Sequence, residues 1–583
     1  MSRGPADLLL VGGRVWTGAG CTLGDGAPSA VALTGGRIAD VGTEDRLRAE
    51  ADAGTPVIDV AGRRIIPGLI DSHIHAIRAG WSYLDELDWT EVRSVAEALD
   101  TVRGATEDRP PGTWITALGG WHPTQFAEGR LPSREELDAA APRHPVFIHP
   151  LYGHEDYGVL NAIALTALGW TGRCADPEGG VLPRRADGTP DGRLEGLAAY
   201  QHVNQVALRP TPSRAHASTR AFFSRLAALG MTGVIDAGGM GMRPEQYRAI
   251  WATWRAGDLP IRVRMNLGAA TSGAEAQEVA GWRSYLAPGM GDDMLSVLGL
   301  GEIMHLGCHD WEGMTPFGIS GEAYDAFVAM ARTAALERWP MTVHAILDSS
   351  ITRILDAIEE VAAETPVSDL RWSLCHAECI SPGNLRRVAD LGLGLALQSR
   401  LVHKAGVCAG RWGDDVVRNG PPLGDITALG IPFGGGTDAT RGASYNPWRA
   451  LWWFITGRSL DGGPRRNERH RLDRTAALDA YTRGSAWLSF EDERRGVLAP
   501  GMDADLGVLS ADYFTVPEDQ IPSITSDLTI VGGRVVHASR AFPGIDVTRH
   551  DRRPAPGPVV AGEGSAVAGG EPAVADAAPE VSV

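Results

Sequence analysis

The chain reads as an α/β protein: a (β/α)8 TIM barrel carrying an inserted subdomain and a small composite β-sandwich built by both termini. Three observations point there. Eight β-rich runs alternate with amphipathic helical stretches through the middle of the chain. Polar residues cluster at the carboxyl ends of those runs, where such barrels carry their chemistry. A phrase of apolar strand, Gly-Gly and second strand recurs at residues 9–15, 33–38 and 529–535.

Taken in order, residues 1–66 and 491–550 hold those repeats, each of which predicts a β-hairpin. Their irregular spacing excludes a solenoid, so the two ends are expected to meet in one β-sandwich. Residues 67–490 hold the barrel, with strands expected at 69–75, 233–237, 261–267, 295–302, 341–344, 371–376, 394–398 and 432–438. Amphipathic stretches at 322–337, 351–363 and 474–487 supply helices. The gap between the first two strands far exceeds the few residues of an ordinary βα connection. Residues from about 80 to 225 are therefore expected to form the subdomain, with strands of their own at 114–118 and 146–149. Residues 551–583 are rich in Ala, Gly, Pro and Glu, lack aromatics and are expected to be a disordered tail.

With 583 residues the chain can house such a barrel and a satellite domain. A formal charge of -18 argues against non-specific nucleic-acid binding, which needs a basic surface. No basic amphipathic segment suggests a membrane surface. Leu8-Leu9-Leu10-Val11 is cut off by Gly12-Gly13, so neither a signal peptide nor a membrane span is expected. The six cysteines are scattered and form no disulfide framework, which makes the cytoplasm the expected location. The expected partner is a small-molecule substrate, and a homodimer is compatible with everything in the chain.

The run Ile65-Ile66-Pro67-Gly68-Leu69-Ile70-Asp71-Ser72-His73-Ile74-His75 carries the most information. On a strand, residues i and i+2 share a face, so His73 and His75 can aim at one point. A metal ion suits two convergent imidazoles. Glu302, His344, His376 and Asp438 end the fourth, fifth, sixth and eighth expected strands.

This set resembles the amidohydrolase superfamily of metal-dependent hydrolases, through residues 68–75, Val343-His344-Ala345, Cys375-His376-Ala377 and Gly436-Thr437-Asp438. Gly120-Trp121, Gly153-His154, Asn161-Ala162-Ile163-Ala164-Leu165 and Asp176-Pro177-Glu178-Gly179-Gly180 resemble the branch containing N-substituted formamide deformylase. Many members of the superfamily bridge two metals with a carbamylated lysine. Here Lys404, after the seventh strand, is the single lysine, so that chemistry is not available. Glu302 is the natural substitute, because a carboxylate can bridge two cations. The other reading is a one-metal site in which Glu302 supports a histidine; strand-end placement favours the bridge.

The resemblance then implies two zinc ions per chain, one held by His73, His75 and Glu302, the other by His344, His376 and Glu302. Asp438 becomes the proton shuttle of a hydrolysis in which metal-activated water attacks an amide-type C–N bond, of an N-formyl or N-acyl amine. The same metal site could open a lactone or ester, decarboxylate or isomerise, or persist without metal in a binding relative. Trp121, His154 and His403 are expected to contact the substrate. His305, Cys308 and His309 follow Glu302 at irregular spacing on a loop, which favours a substrate-facing or structural role over a metal cluster. Cys375 and Cys379 make half of a zinc knuckle with no second half.

Overall fold

The structure, a computed structural model, describes residues 6–21, 23–24, 26–152, 157–239, 242 and 244–547. The tail expected at 551–583 lies outside them. Eight parallel strands form the centre: β1 (Leu69–Ile74), β2 (Met231–Asp236), β3 (Arg262–Leu267), β4 (Leu295–Leu300), β5 (Thr342–Ala345), β6 (Ser373–His376), β7 (Gly394–Gln398) and β8 (Phe433–Gly436). They are hydrogen-bonded in the orders β4-β3-β2-β1 and β5-β6-β7-β8. A parallel bridge from Leu300 to Met341 ties the end of β4 to the residue before β5. Beyond β8, the Asp438 amide donates to the His73 carbonyl at 2.9 Å, tying the eighth strand to the first.

Every residue of β1 to β4 is buried, the continuous pattern of parallel strands covered on both faces. Helices supply the outer cover. α1 (Ala76–Ser82) follows β1 directly. α2 (Gly321–Leu336) starts at Ser320, whose hydroxyl accepts from the Ala323 amide. α3 (Asp348–Glu364) turns Ile351, Ile354, Leu355, Ile358 and Val361 inward at helical spacing. α4 (Leu401–Trp412) follows β7.

The three glycines of β8 let neighbours close in. A Cβ on Gly435 would lie 2.5 Å from the Tyr481 ring, so a side chain there would displace it. Tyr481 sits in a π turn, Ala480–Gly484, which splits the helix expected at 474–487 into Arg474–Asp479 and Ser485–Leu488.

Residues from both ends of the chain share a second core. One sheet has strands Arg37–Gly42, Ala30–Thr34, Leu8–Val11 and Val57–Asp59 in that order; the other joins Arg14–Val15 and Arg64–Pro67 to Leu506–Leu509, Ser526–Val531 and Arg534–Ala538. Leu10, Val31 and Leu33 pack with Ile65, Leu506, Val508, Leu528 and Ile530. Two of the three Gly-Gly phrases are hairpins, at 30–42 and 526–538. The first is not. Leu8–Val11 and Arg14–Val15 lie in different sheets, and Gly12, at φ 66°, makes the crossover, its amide donating to Glu44.

Between α1 and β2 a third sheet orders Arg193–Glu195, Tyr157–Leu160, Val146–His149 and Ile115–Leu118. Helix Pro212–Ala228 leads from it back to β2. No helix among the described residues is long and apolar enough to cross a membrane.

Candidate metal centre

The site stands where the chain leaves the parallel strands. His73 ends β1 but for one residue, and His75 lies just past it, at the N-cap of α1 with φ -94° and ψ 59°. The two rings therefore do not converge by strand alternation alone. The turn into α1 swings His75 back, giving ring centroids 5.5 Å apart at 82°. Glu302 lies two residues beyond β4, His344 and His376 lie within β5 and β6, and Asp438 is two residues past β8. His376 and Asp438 have φ 74° and 60°, a left-handed conformation that costs a non-glycine residue about 1–3 kcal/mol and is typically kept where a side chain must be aimed.

Glu302 is the common point. Its Oε2 lies 3.4 Å from His73 Nε2, 3.4 Å from His344 Nδ1 and 3.3 Å from His376 Nε2, and its Oε1 lies 3.4 Å from His75 Nε2. Asp438 Oδ1 lies 3.2 Å from His75 Nε2 and 3.6 Å from His73 Nε2. All six groups are buried. Burial pushes the Glu302 and Asp438 carboxyls upward, but the surrounding imidazoles outweigh it and hold both well below the usual range.

These separations test whether metal ions fit. All but the His75–Asp438 contact exceed the roughly 2.7–3.2 Å of a good N–H···O bond. Two donors each about 2.1 Å from one tetrahedral ion stand roughly 3.4 Å apart, which matches the observed spacing better. Ligand atoms converge within 4.8 Å in three groups: His73, Glu302, Cys375 and His376; His73, His75 and Asp438; Glu302, His309 and His344. His73 Nε2 is moreover buried without a hydrogen-bond partner. The donor set fits divalent cations.

Supporting groups orient these donors. His75 Nδ1 meets the Gly238 carbonyl at 2.9 Å, which leaves Nε2 for the site. His344 Nε2 meets the Trp311 carbonyl at 2.7 Å and Asp310 Oδ1 at 3.0 Å, which turns Nδ1 inward. The Cys375 thiol donates to Glu302 at 3.5 Å. Buried Asp71 accepts from the His73 amide at 3.0 Å, the Thr437 amide at 3.1 Å and the Thr437 hydroxyl at 2.6 Å, pinning the ends of β1 and β8 together. Burial raises its carboxyl to about 7 against those bonds. Arg400 stands 3.8 Å from Asp438 Oδ2 while bound to Glu378 and Glu312.

A cavity of about 390 Å³ opens over the centre, a size suited to a small molecule. His75, Glu302, His344, His376 and Asp438 line it, together with His309, whose ring stacks on His344 at 3.7 Å. Burial and the neighbouring His344 push His309 down to about 3, so it is a neutral, cavity-facing group. Of the expected substrate contacts, His154 lies outside the described residues. Trp121 does not reach the cavity. It stacks on Phe126 at 5.5 Å and meets Trp89 edge-on at 4.8 Å, filling the core of the segment between α1 and β2. His403 is buried in α4 and does not line the cavity either; its neighbours are the cationic Arg449 and Lys404, and burial keeps its ring neutral. Asp71, Asp310 and Arg400 escaped the sequence reading, since each gains its meaning from a partner distant in the chain, and Arg78 escaped it because only the fold shows that it lines the cavity.

The match to the amidohydrolase family runs over residues 56–537. The chain belongs to this family. It is thus a metal-dependent hydrolase of carbon–nitrogen bonds other than peptide bonds. N-substituted formamide deformylase of Arthrobacter pascens is 27% identical over 558 residues, covering 90% of this chain and 97% of that protein. The putative amidohydrolase YtcJ of Bacillus subtilis is 25% identical, over 87% of this chain and 96% of its own length. Among solved structures, an uncharacterized metal-dependent hydrolase from Pyrococcus horikoshii superposes with a TM-score of 0.64 at 20% identity, covering 88% of this chain and 99% of that one, a likeness of fold.

Proposed function

We propose that this amidohydrolase cleaves the amide-type C–N bond of a small N-formyl or N-acyl amine, at two zinc ions bridged by Glu302. The observation that carries the reading is the single buried carboxylate facing four imidazoles at 3.3–3.4 Å. In this reading the eight parallel strands close into a (β/α)8 barrel, which gathers six groups from five strand ends at one rim. His73 and His75 would hold one ion and His344 and His376 the other, each with Glu302. Bound there, the ions would supply Lewis acidity to the scissile carbonyl and to the attacking water.

The chain's own groups do the rest. Asp438 is buried and anionic, with Oδ1 turned to His73 and His75. Asp438 lines the cavity, and Arg400 stands 3.8 Å from its Oδ2 without closing a hydrogen bond. Oδ2 would take the proton from water and pass it to the departing nitrogen, which needs a proton to leave as an amine. Burial of the six groups lowers the local dielectric and so strengthens each of these interactions. The formamide class is favoured by the relative named for deformylation, which matches this chain nearly end to end.

The test is formate release from N-benzylformamide by zinc-loaded enzyme, run beside N-acetyl and ester analogues. Release from the formamide, lost in Asp438→Asn, supports the reading. Ester cleavage with no amide cleavage would overturn it.

A further inference from the structure

Three guanidinium groups line the cavity: Arg78, Arg400 and Arg441. Two are neutralised. Arg400 is held by Glu378 at 2.8 Å and Glu312 at 2.7 Å, and Arg441 by Glu86 at 2.7 Å. Arg78 differs. It lies one turn along α1 from His75, partly buried, and makes no ion pair or hydrogen bond among the described residues; its Nε is shut away from solvent without a partner. The acids lining the cavity are bonded to other groups, and Asp438 and Glu302 act on Arg78 only through their charge. Glu302 and Asp438 face the four histidines, and Glu312 is shared by Arg400 and Lys404. A fixed, always-charged fork with no partner among the described residues beside a cavity is costly, and the cost is relieved when a planar oxyanion fills it. Tyr152, Tyr200, Trp311 and Met314 add an aromatic and apolar wall to the same cavity.

We propose that Arg78 is a specificity-determining residue that binds a carboxylate of the substrate, the remainder of which lies against the aromatic wall. This rests on the hydrolase reading above and narrows it to acid-bearing amides. A carboxylate matches the guanidinium fork through two parallel N–H···O bonds, which a neutral amine side chain cannot offer.

The matched probes are N-formylphenylalanine and N-formylphenethylamine, which differ only by the carboxylate. Binding to zinc-loaded enzyme is measured by calorimetry, and formate release is scored separately, for wild type and Arg78→Met. The wild type is expected to prefer the acid at least about ten-fold, and the ratio should collapse to about one in Arg78→Met. A ratio near one in wild type, or a preference that survives in Arg78→Met because the acid sits on zinc, would overturn the proposal. Arg78-dependent binding without formate release keeps the carboxylate site and removes the formamide reading. Formate release indifferent to the carboxylate does the reverse.

Discussion

Residue scale brings out how much of the centre depends on groups that never face the substrate. Asp310 accepts from the Ile346 and Leu347 amides and holds His344 through Nε2. Burial works against its ionisation, yet His344 and those amides hold it at about 2. Asp310→Asn keeps the shape and removes the charge, so His344 Nε2 keeps the Trp311 carbonyl but loses the anionic partner that raises the basicity of the ring. Metal affinity is expected to fall about 10- to 100-fold, read by competition with a chromophoric chelator. Affinity within two-fold of wild type would show Asp310 to be only a turn former. The local motifs were legible because their chemistry is written within a few residues: His-Ile-His after an apolar strand, and Gly-Thr-Asp at the end of β8. Asp310 was not legible, because what makes it functional is a ring 34 positions away in another element. Trp121 and His403 show the opposite failure. An aromatic beside a motif reads equally well as a pocket wall or a core residue, and only packing decides between them.

At the scale of elements, the strands were found by their apolar runs, and their ends were less well placed. Glu302, His75 and Asp438 lie past the last paired residue, since the site needs backbone that strands cannot provide. The opposite end of β3 hides a feature its pattern did not announce. Arg262 and Arg264 are buried, against the rule for a central strand, because a network awaits them. Arg262 binds Asp505 at 2.8 Å, Arg264 binds Glu491 at 2.6 Å, and Arg495 bridges both acids at 2.8 and 3.0 Å. Burial would raise Glu491, but Arg495 and Arg264 hold it at about 2, and Asp505 is likewise depressed. A carboxyl with a lowered folded pKa contributes stability that is complete above its unfolded value near 4.3 and is lost as pH falls towards about 2. Thermal stability is thus expected to fall as pH drops from about 4.3 towards about 2. Glu491→Gln should lose about 3–5 kcal/mol at pH 7, with a shallower acid slope. An identical slope in the variant would remove Glu491 from the account.

For the whole molecule, the pairing of the two chain ends was legible in the repeated Gly-Gly phrase, although one copy crosses between sheets instead of turning back. The segment between α1 and β2 was legible as an excess of length and as two of its four strands, those at 115–118 and 146–149. Its strand Val146–His149 delivers His149 to the cavity wall, a placement that depends on how its sheet packs. The central claim remains the two-ion centre organised by Glu302, and its most direct test is elemental mass spectrometry on purified, zinc-loaded protein freed of excess metal. About two metals per chain are expected in wild type and at most about one in Glu302→Ala. One metal or none in wild type, or an unchanged content in Glu302→Ala, would contradict it.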